Sequence, residues 1–268
     1  MTRGRLAKVL AVKHDADGAH RFPDRVIAEE PLEIQLDGVT VTTTMRTPGA
    51  DFELAAGFSV AEGLLDGTTI TAIRYCASGS AVTTEFNVVT VETARADPSA
   101  VTQRLVPTTS SCGLCGSAAI EQLTDRLVPL GSPPPLAPDV VAGVAVRVRE
   151  GQPLFEATGA SHAAAAFRLA TGEVLHVRED IGRHNAVDKV TGRLALDGAL
   201  PAADLGLFVS GRAGFEMVQK AWAAGFRWLA AVGGPSSLAL STARAADLGL
   251  VAFARGTSMT YYWPDGRP

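Results

Sequence analysis

The stretch LGLFVSGRAGFEMVQKAWAAGFRWLAAVGGPSSLALSTARAADLGLVAFA, residues 205–254, alternates short apolar runs with segments of helical periodicity. Strands are predicted at 205–209, 228–232 and 250–254, and helices at 213–224 and 236–247. Such alternation is typical of a parallel sheet with helices on both faces. Upstream of it the pattern predicts a helix at 139–148, a hairpin of strands 163–169 and 173–177, and a helix at 184–196.

The first part of the chain is richer in strand signals. Asp37-Gly38 separates two β-prone segments, 33–36 and 39–45, and this dipeptide favours a tight hairpin. A helix capped by Asp51 is expected next, followed by strands at 70–75 and 84–93, while residues 1–30 suggest one strand with a loose leader. We therefore expect an α/β protein, α+β overall. A β-rich domain would span residues 1–106, and an α/β domain would span residues 107–268.

Composition restricts the function. The 268 residues carry a formal net charge of −4, which disfavours a nucleic-acid partner because phosphate neutralisation requires a basic surface. No apolar run approaches membrane-spanning length, and the first fifteen residues lack a signal-peptide core. The sequence therefore predicts a cytoplasmic protein without a membrane partner, in which the three cysteines are thiols unless the chemistry oxidises them.

Two of those cysteines form a C-x-x-C motif, Cys112 and Cys115, inside SSCGLCGS at 110–117. A helix predicted from Ser117 would place a positive helix terminus beside a thiolate. Half a zinc site, a thioredoxin-type redox pair and a persulfide carrier are the three common interpretations, and two inert core cysteines are a fourth. The surrounding glycines and serines argue against burial of the pair, so sulfur or redox chemistry is favoured.

Small-residue turns follow three strand ends in the second half: REDIGRHN at 178–185, SGRAG at 210–214 and GGPSS at 233–237. Ligands of open α/β sheets bind at the carboxyl ends of the strands, where free N–H groups attract anions. Helix caps and surface ion pairs are the alternative interpretation of these turns. As anion ligands we consider the cations Arg178, Arg183 and Arg212 together with Gly211, Ser236 and His184, and as acceptors for a base or ribose Glu179 or Asp180.

Six stretches spread over the chain are distinctive in combination: EEPLEIQLDG (29–38), TMRTPGADFELAAGF (44–58), SSCGLCG (110–116), REDIGRHNAVDKVTG (178–192), SGRAGFEMVQKA (210–221) and GGPSSLALSTARAADLGLVAFARG (233–256). With these stretches in this order, the chain resembles the FdhD family of formate dehydrogenase accessory sulfurtransferases. The resemblance has consequences for the chemistry. It implies that a cysteine desulfurase donates sulfur as a persulfide on Cys112, with Cys115 as its partner. The sulfur then passes to the molybdenum cofactor, bis-molybdopterin guanine dinucleotide, before the formate dehydrogenase catalytic subunit becomes active.

The same resemblance implies a homodimer and a cofactor-binding segment near the C-terminus, for which GDP is the expected surrogate ligand. That segment consists of Val251, Ala252, Phe253, Ala254, Arg255 and Gly256. The usual Thr-Gly-Gly of the family is Thr158-Gly159-Ala160 here. The backbone freedom that the second glycine gives is therefore reduced near His162.

The family is also similar in fold to cytidine deaminases, which implies a three-layer α/β/α second domain. A zinc deaminase needs H-x-E at one helix start and P-C-x-x-C at the next. This chain has no H-x-E, and Ser111 precedes Cys112 in place of proline, so we predict no metal site. A sulfurtransferase is therefore the favoured function, and a non-covalent molybdenum-cofactor chaperone is the alternative.

Overall fold

The computed structural model describes residues 4–76, 80–82, 84–94 and 127–264, and within them the chain forms twelve strands and six helices. The strands are β1 (Leu6–Asp15), β2 (Gly18–Ile27), β3 (Glu30–Leu36), β4 (Val39–Arg46), β5 (Ile70–Tyr75), β6 (Val88–Thr93), β7 (His162–Arg168), β8 (Val174–Asp180), β9 (Leu205–Val209), β10 (Trp228–Ala231), β11 (Gly249–Arg255) and β12 (Ser258–Trp263). The helices are α1 (Asp51–Ala61), α2 (Pro138–Glu150), α3 (Pro153–Thr158), α4 (Arg183–Leu196), α5 (Phe215–Ala223) and α6 (Ser237–Ala246).

A six-stranded sheet in the order β12-β11-β10-β9-β7-β8 organises the second half of the chain. Strands β9, β10 and β11 are parallel, whereas β7 runs antiparallel to both β8 and β9. Strand β8 therefore points the same way as β9, β10 and β11. The carboxyl ends of four strands meet at one edge of this sheet, which is the geometry that binds ligands in open α/β folds.

Helices cover both faces of this sheet. On one face Ala164, Val187, Leu207, Met217 and Ala243 pack in a core formed with α4, α5 and α6. On the other face Val144 and Val148 of α2 pack against Phe167, Phe208 and Trp228. Successive strand residues thus alternate between two buried layers, as the apolar runs of residues 205–254 predict. The mixed α/β fold expected from the sequence is confirmed.

The first part of the chain builds a four-stranded sheet in the order β4-β3-β6-β5, with α1 packed on it. The predicted hairpin at Asp37-Gly38 is confirmed, with both residues at positive φ (50° and 84°) as a tight turn requires. Strand β6 begins at Val88 and not at residue 84, because Glu85 and Phe86 adopt positive φ in a turn before it. The expected boundary between the two domains, at residues 106–107, lies outside the described residues.

Two parts of the structure differ from the sequence prediction. Residues 1–30 were expected to hold one strand with a loose leader, yet β1 and β2 pair along their whole length around a turn at residues 16–17. Strand β12, which was not predicted, pairs antiparallel with β11 at the sheet edge. Most β1 and β2 residues are exposed on both faces, so the hairpin lacks the alternation of burial that identifies a strand in a sequence.

Helices α1 and α4 join the two larger sheets through direct backbone contact. A Cβ built on Gly57 would overlap the carbonyl oxygen of Asp188, and one built on Gly192 would overlap that of Glu53. Neither position accepts any side chain without moving a helix axis. Glycine is therefore required at this crossing.

Two buried ion pairs lie beside this junction, one in each half of the chain. Asp51 was expected to cap α1, but Ala50 is the N-cap residue and Asp51 instead receives two hydrogen bonds from Arg46, at 3.0 and 2.9 Å. The Lys189 ammonium on α4 donates to the Asp180 carboxylate at 2.7 Å and to the carbonyl of Thr47 at 2.9 Å. The bond to Thr47 connects the middle of α4 to the loop before α1. In the part of the chain that the structure describes, no helix combines the length and apolarity needed to cross a membrane.

Candidate functional site

A cleft of about 810 Å³ opens at the edge where the strands end. Its floor is apolar and comes from Phe208, Val232 and Ala254, at the carboxyl ends of β9, β10 and β11. One wall is the corner between α2 and α3, and the opposite rim holds Arg255 and Gly256. The fold thus places a concave, largely apolar surface with polar residues on its rim where ligands of α/β proteins bind.

The end of β11 is irregular at this edge. The register of β11 with β12 shifts between Ala252 and Arg255, and Phe253 between them has φ 52° and is 42% exposed. Its ring lies against Gly234, where a Cβ would come within 2.7 Å of the ring carbon Cζ. A bulky residue in this strained conformation, with its ring held outward, is typical of a functional position.

His162, at the start of β7, lines the cleft beside Gly211. A Cβ built on Gly211 would lie 3.7 Å from Nδ1 of His162 and 3.8 Å from Cδ of Arg183, so these three residues are close neighbours. Burial lowers the pKa of His162 below its ordinary value, and the charges of Arg183 and His184 lower it further. Its imidazole is therefore neutral near pH 7 and offers one donor and one acceptor nitrogen.

His184 follows Arg183 at the start of α4 and links it to α5. Its Nε2 lies 2.9 Å from Oε2 of Glu216, in the first turn of α5, and Nη2 of Arg183 lies 4.0 Å from the same oxygen. The starts of α4 and α5 are thus joined by a histidine–carboxylate pair.

The structure brings together only part of the predicted cofactor-binding set. Arg212 is exposed and its Cα lies against Gly233, and Ser236 caps α6 by accepting the N–H of Ala239 at 3.1 Å. The side chains of Val251 and Ala252 are fully buried in the two core layers and do not face the cleft. Ala254, Arg255 and Gly256 line the cleft directly.

Arg178 lies away from this group. Its side chain points to α1, where Nε and Nη2 donate to Glu53 at 2.5 and 2.7 Å, and these hydrogen bonds raise the pKa of Arg178 despite burial. It borders a separate cavity of about 460 Å³ that also includes Arg5.

The two acidic residues after Arg178 are occupied by the protein itself. Glu179 is 3% exposed and accepts the N–H groups of Leu154 and Phe155, and Asp180 is fully buried against Lys189. Neither carboxylate is available to a base or ribose in this structure.

The α2–α3 corner contributes cleft residues that the sequence did not identify: Arg149, Glu150, Gln152 and Phe155. The guanidinium carbon of Arg149 lies 4.3 Å from the centre of the Phe155 ring. Gln152 precedes the short helix α3 and is 6% exposed. No local motif marks these residues, because they reach the cleft from a helix that lies across the sheet from the other ligand candidates.

Cys112, Cys115 and the helix predicted from Ser117 lie outside the described residues. The remaining cysteine, Cys76, is buried with its Sγ 2.9 Å from Oγ1 of Thr84. Since Cys76 is buried directly after β5, it serves as an internal reference in tests of the C-x-x-C motif.

Comparison with known proteins extends over nearly the whole chain. A model of the FdhD/NarQ family matches residues 27–268. "Sulfur carrier protein FdhD" of Streptomyces avermitilis is 47% identical over 267 residues, covering 97% of this chain and 94% of that protein. The protein of the same name from Mycobacterium tuberculosis is 44% identical over 261 residues, covering 94% of each.

A solved structure is similar to this chain in fold. The crystal structure of a putative formate dehydrogenase accessory protein from Desulfotalea psychrophila superposes with a TM-score of 0.76 at 22% identity, covering 98% of this chain and 99% of that one. At this identity the likeness concerns the fold alone. Taken with the family match and the relatives at 44–47% identity, it means that the chain belongs to the FdhD/NarQ family.

Proposed function

We propose that this protein is a sulfur carrier that acts in the maturation of formate dehydrogenase. The observation that carries the proposal is full-length similarity to proteins named sulfur carriers, in a chain whose sequence holds the C-x-x-C motif at 112–115. The resemblance of nearly the whole chain to the FdhD family of formate dehydrogenase accessory sulfurtransferases supports formate dehydrogenase as the target enzyme. The partners in this proposal are a cysteine desulfurase and the formate dehydrogenase catalytic subunit, and the protein acts as a cytoplasmic homodimer.

In the first step, the Cys112 thiolate attacks the outer sulfur of a persulfide on the desulfurase. The sulfur–sulfur bond of the donor breaks, the donor cysteine leaves as a thiolate, and Cys112 becomes the persulfide. Cys115 assists as a second thiol that stabilises the thiolate and resolves the persulfide. The protein is thus a sulfurtransferase with a cysteine persulfide intermediate.

The acceptor of this sulfur is the molybdenum cofactor, bis-molybdopterin guanine dinucleotide, which is a substrate and not a resident group. The cleft supports this part of the proposal, since its volume lies within the range of about 300–1,000 Å³ that is common for ligand pockets. A protein with net charge −4 binds a polyanion only where cations gather locally. Arg183, Arg212 and Arg255 lie on or near the rim of the cleft, where strand ends and helix starts also offer backbone N–H groups.

Mass spectrometry of the intact protein tests the carrier function. After incubation with a cysteine desulfurase and cysteine, we expect a mass increase of one sulfur atom that is lost on reduction. The Cys112→Ser variant should gain no sulfur, whereas Cys76→Ser, at the buried reference cysteine, should gain as much as the wild type. A wild-type protein that gains no sulfur yet binds GDP would show a non-covalent cofactor chaperone instead.

Calorimetry with GDP tests the cofactor contacts. Arg212→Lys retains the charge but loses the planar guanidinium group, which can hold a phosphate through two hydrogen bonds. GDP binding should therefore weaken by about 1–2 kcal/mol, roughly five- to thirty-fold in Kd. Arg168→Lys is the matched control, since Arg168 is exposed and lies at the end of the antiparallel strand β7, at the opposite edge of the sheet. Equal GDP affinity of the wild type and both variants would remove Arg212 from the site.

A further inference from the structure

The β1–β2 hairpin stands apart from the two larger sheets. Its strands pair over ten residues each, about 30 Å of extended chain, and no third described strand joins them. Large apolar side chains are exposed on it, among them Leu10 at 70% and Val12 at 53%. A two-stranded sheet is at best marginally stable in water, and exposed apolar side chains of this kind mark interaction surfaces. We therefore expect another molecule to cover the hairpin.

One side of the hairpin, here called the cationic face, combines apolar and basic side chains. Residues that pair directly across the two strands lie on the same face, as do alternate residues of one strand. Three neighbouring pairs make up the cationic face: Lys8 with Arg25, Leu10 with Pro23, and Val12 with Arg21. The three basic side chains are exposed, and none of them forms an ion pair or a side-chain hydrogen bond with a described residue.

The arrangement of these charges indicates the kind of partner. Lys8 and Arg25 lie directly opposite each other, and two like charges in that position destabilise a hairpin. A partner that supplies carboxylates turns the repulsion into attraction. Leu10 lies between the cations, and an apolar side chain inside a charged rim is a common centre of a protein interface. The cationic face is therefore complementary to an acidic protein surface with an apolar contact at its centre.

The base of the hairpin is anchored beside the cleft. The N–H of Ala28 donates to the carbonyl of Arg5 at 2.9 Å, and Nη2 of Arg5 donates to the carbonyl of Glu179 at 3.2 Å. The Glu179 carboxylate holds the start of α3, and β2 packs on that helix. Because Phe155 of α3 lines the cleft, a protein bound to the hairpin would lie beside the mouth of the cleft.

We propose that the cationic face of the β1–β2 hairpin binds an acidic surface of the formate dehydrogenase catalytic subunit. The cofactor passes from the cleft to that subunit, so the recipient is the partner that has to approach the cleft mouth. This inference rests on the proposed function, because it identifies the surface by which the carrier recruits its target enzyme. Electrostatic attraction of this kind speeds association and is screened by salt.

Surface plasmon resonance with the cofactor-free catalytic subunit and the full-length protein tests the inference, at low and at physiological salt. Lys8→Glu should raise Kd about tenfold at low salt, mainly through slower association, and should reduce the salt dependence of binding. The substitution also places a carboxylate opposite Arg25, so the melting temperature should be unchanged or higher. A lowered melting temperature with unchanged affinity would show a purely structural residue and overturn the proposal.

Lys13→Glu is the matched control, since it makes the same change of charge on the same strand but on the opposite face, where Lys13 pairs with Asp15 at 3.5 Å. This variant should bind the catalytic subunit about as tightly as the wild type does. Equal weakening by Lys8→Glu and Lys13→Glu would show an effect of net charge alone. Either that result or wild-type affinity in both variants would overturn the inference.

Two further measurements identify other occupants of the hairpin. Conversion of a dimer to a monomer by Lys8→Glu in analytical ultracentrifugation would show that a second copy of the chain covers the cationic face. A smaller sulfur gain from the cysteine desulfurase, with unchanged binding of the dehydrogenase subunit, would show that the donor enzyme does. Each of these results would overturn the inference.

The proposed function is tested separately on the same samples. Lys8→Glu should gain sulfur from the desulfurase and bind GDP as the wild type does, and only its binding of the dehydrogenase subunit should weaken. A wild type that gains no sulfur would overturn the carrier function. A wild type that gains sulfur but does not bind the dehydrogenase subunit would overturn the docking inference alone.

Discussion

Replacement of Cys112 with alanine is expected to abolish the maturation of formate dehydrogenase, whereas Cys115→Ala should leave a reduced activity. A persulfide needs one acceptor sulfur, and without it no sulfur reaches the cofactor. The second thiol only adjusts the reactivity of the first and resolves the intermediate. The measurement is formate dehydrogenase activity in cells that lack their own copy of the protein and express each variant.

Cys76→Ala is the control for these variants, since Cys76 is buried directly after β5 and its substitution should alter activity only through stability. Complete and equal loss for Cys112→Ala and Cys115→Ala would contradict a single acceptor and indicate an obligatory dithiol cycle. Full activity of Cys112→Ala would exclude it as the carrier.

The second large effect concerns the crossing of α1 and α4. Gly192→Ala should lower the free energy of unfolding by about 3 kcal/mol or more, because the added Cβ overlaps the carbonyl oxygen of Glu53 and only a shift of a whole helix relieves the overlap. Urea unfolding followed by circular dichroism measures this change, and we expect the same result for Gly57→Ala across the same contact.

Gly143→Ala is the matched control, a glycine-to-alanine change inside a helix. A Cβ at residue 143 meets only the flexible end of Arg147, at 3.4 Å, so the variant should be neutral or more stable by up to about 1 kcal/mol. If Gly192→Ala and Gly143→Ala had the same stability, the close approach of α1 and α4 would be contradicted.

The fold was predictable wherever the pattern is local and strong. Residues 205–254 form the strands and helices expected of them, and Asp37-Gly38 forms the expected hairpin turn. The role of Asp51 was not predictable, since a carboxylate at a helix start is also suited to be a cap, and only its contact with Arg46 on β4 shows that it has another role. The hairpin of β1 and β2 was missed because exposure on both faces removes the periodicity on which such predictions depend.

The candidate site was predictable only as a region. Strand-end turns identified the correct edge of the sheet, but three successive residues, 178–180, differ in what they contact. Strand side chains alternate between faces, so Arg178 meets α1 while Glu179 meets α3. Which face carries the cleft depends on the packing of α2, and the sequence of the strand holds no information about that. Gln152 was missed for the same reason.

The contact between α1 and α4 also bears on how the gene for this protein can be divided. A shortened chain that begins at residue 127 would keep the whole six-stranded sheet. It would lose α1, which packs directly on Gly192 of α4. It would also remove the Thr47 N–H and carbonyl, which hydrogen bond to Asp180 at the end of β8 and to Lys189 in the middle of α4. The α/β half is therefore not a transferable module, and a fusion or a truncation has to carry both halves together.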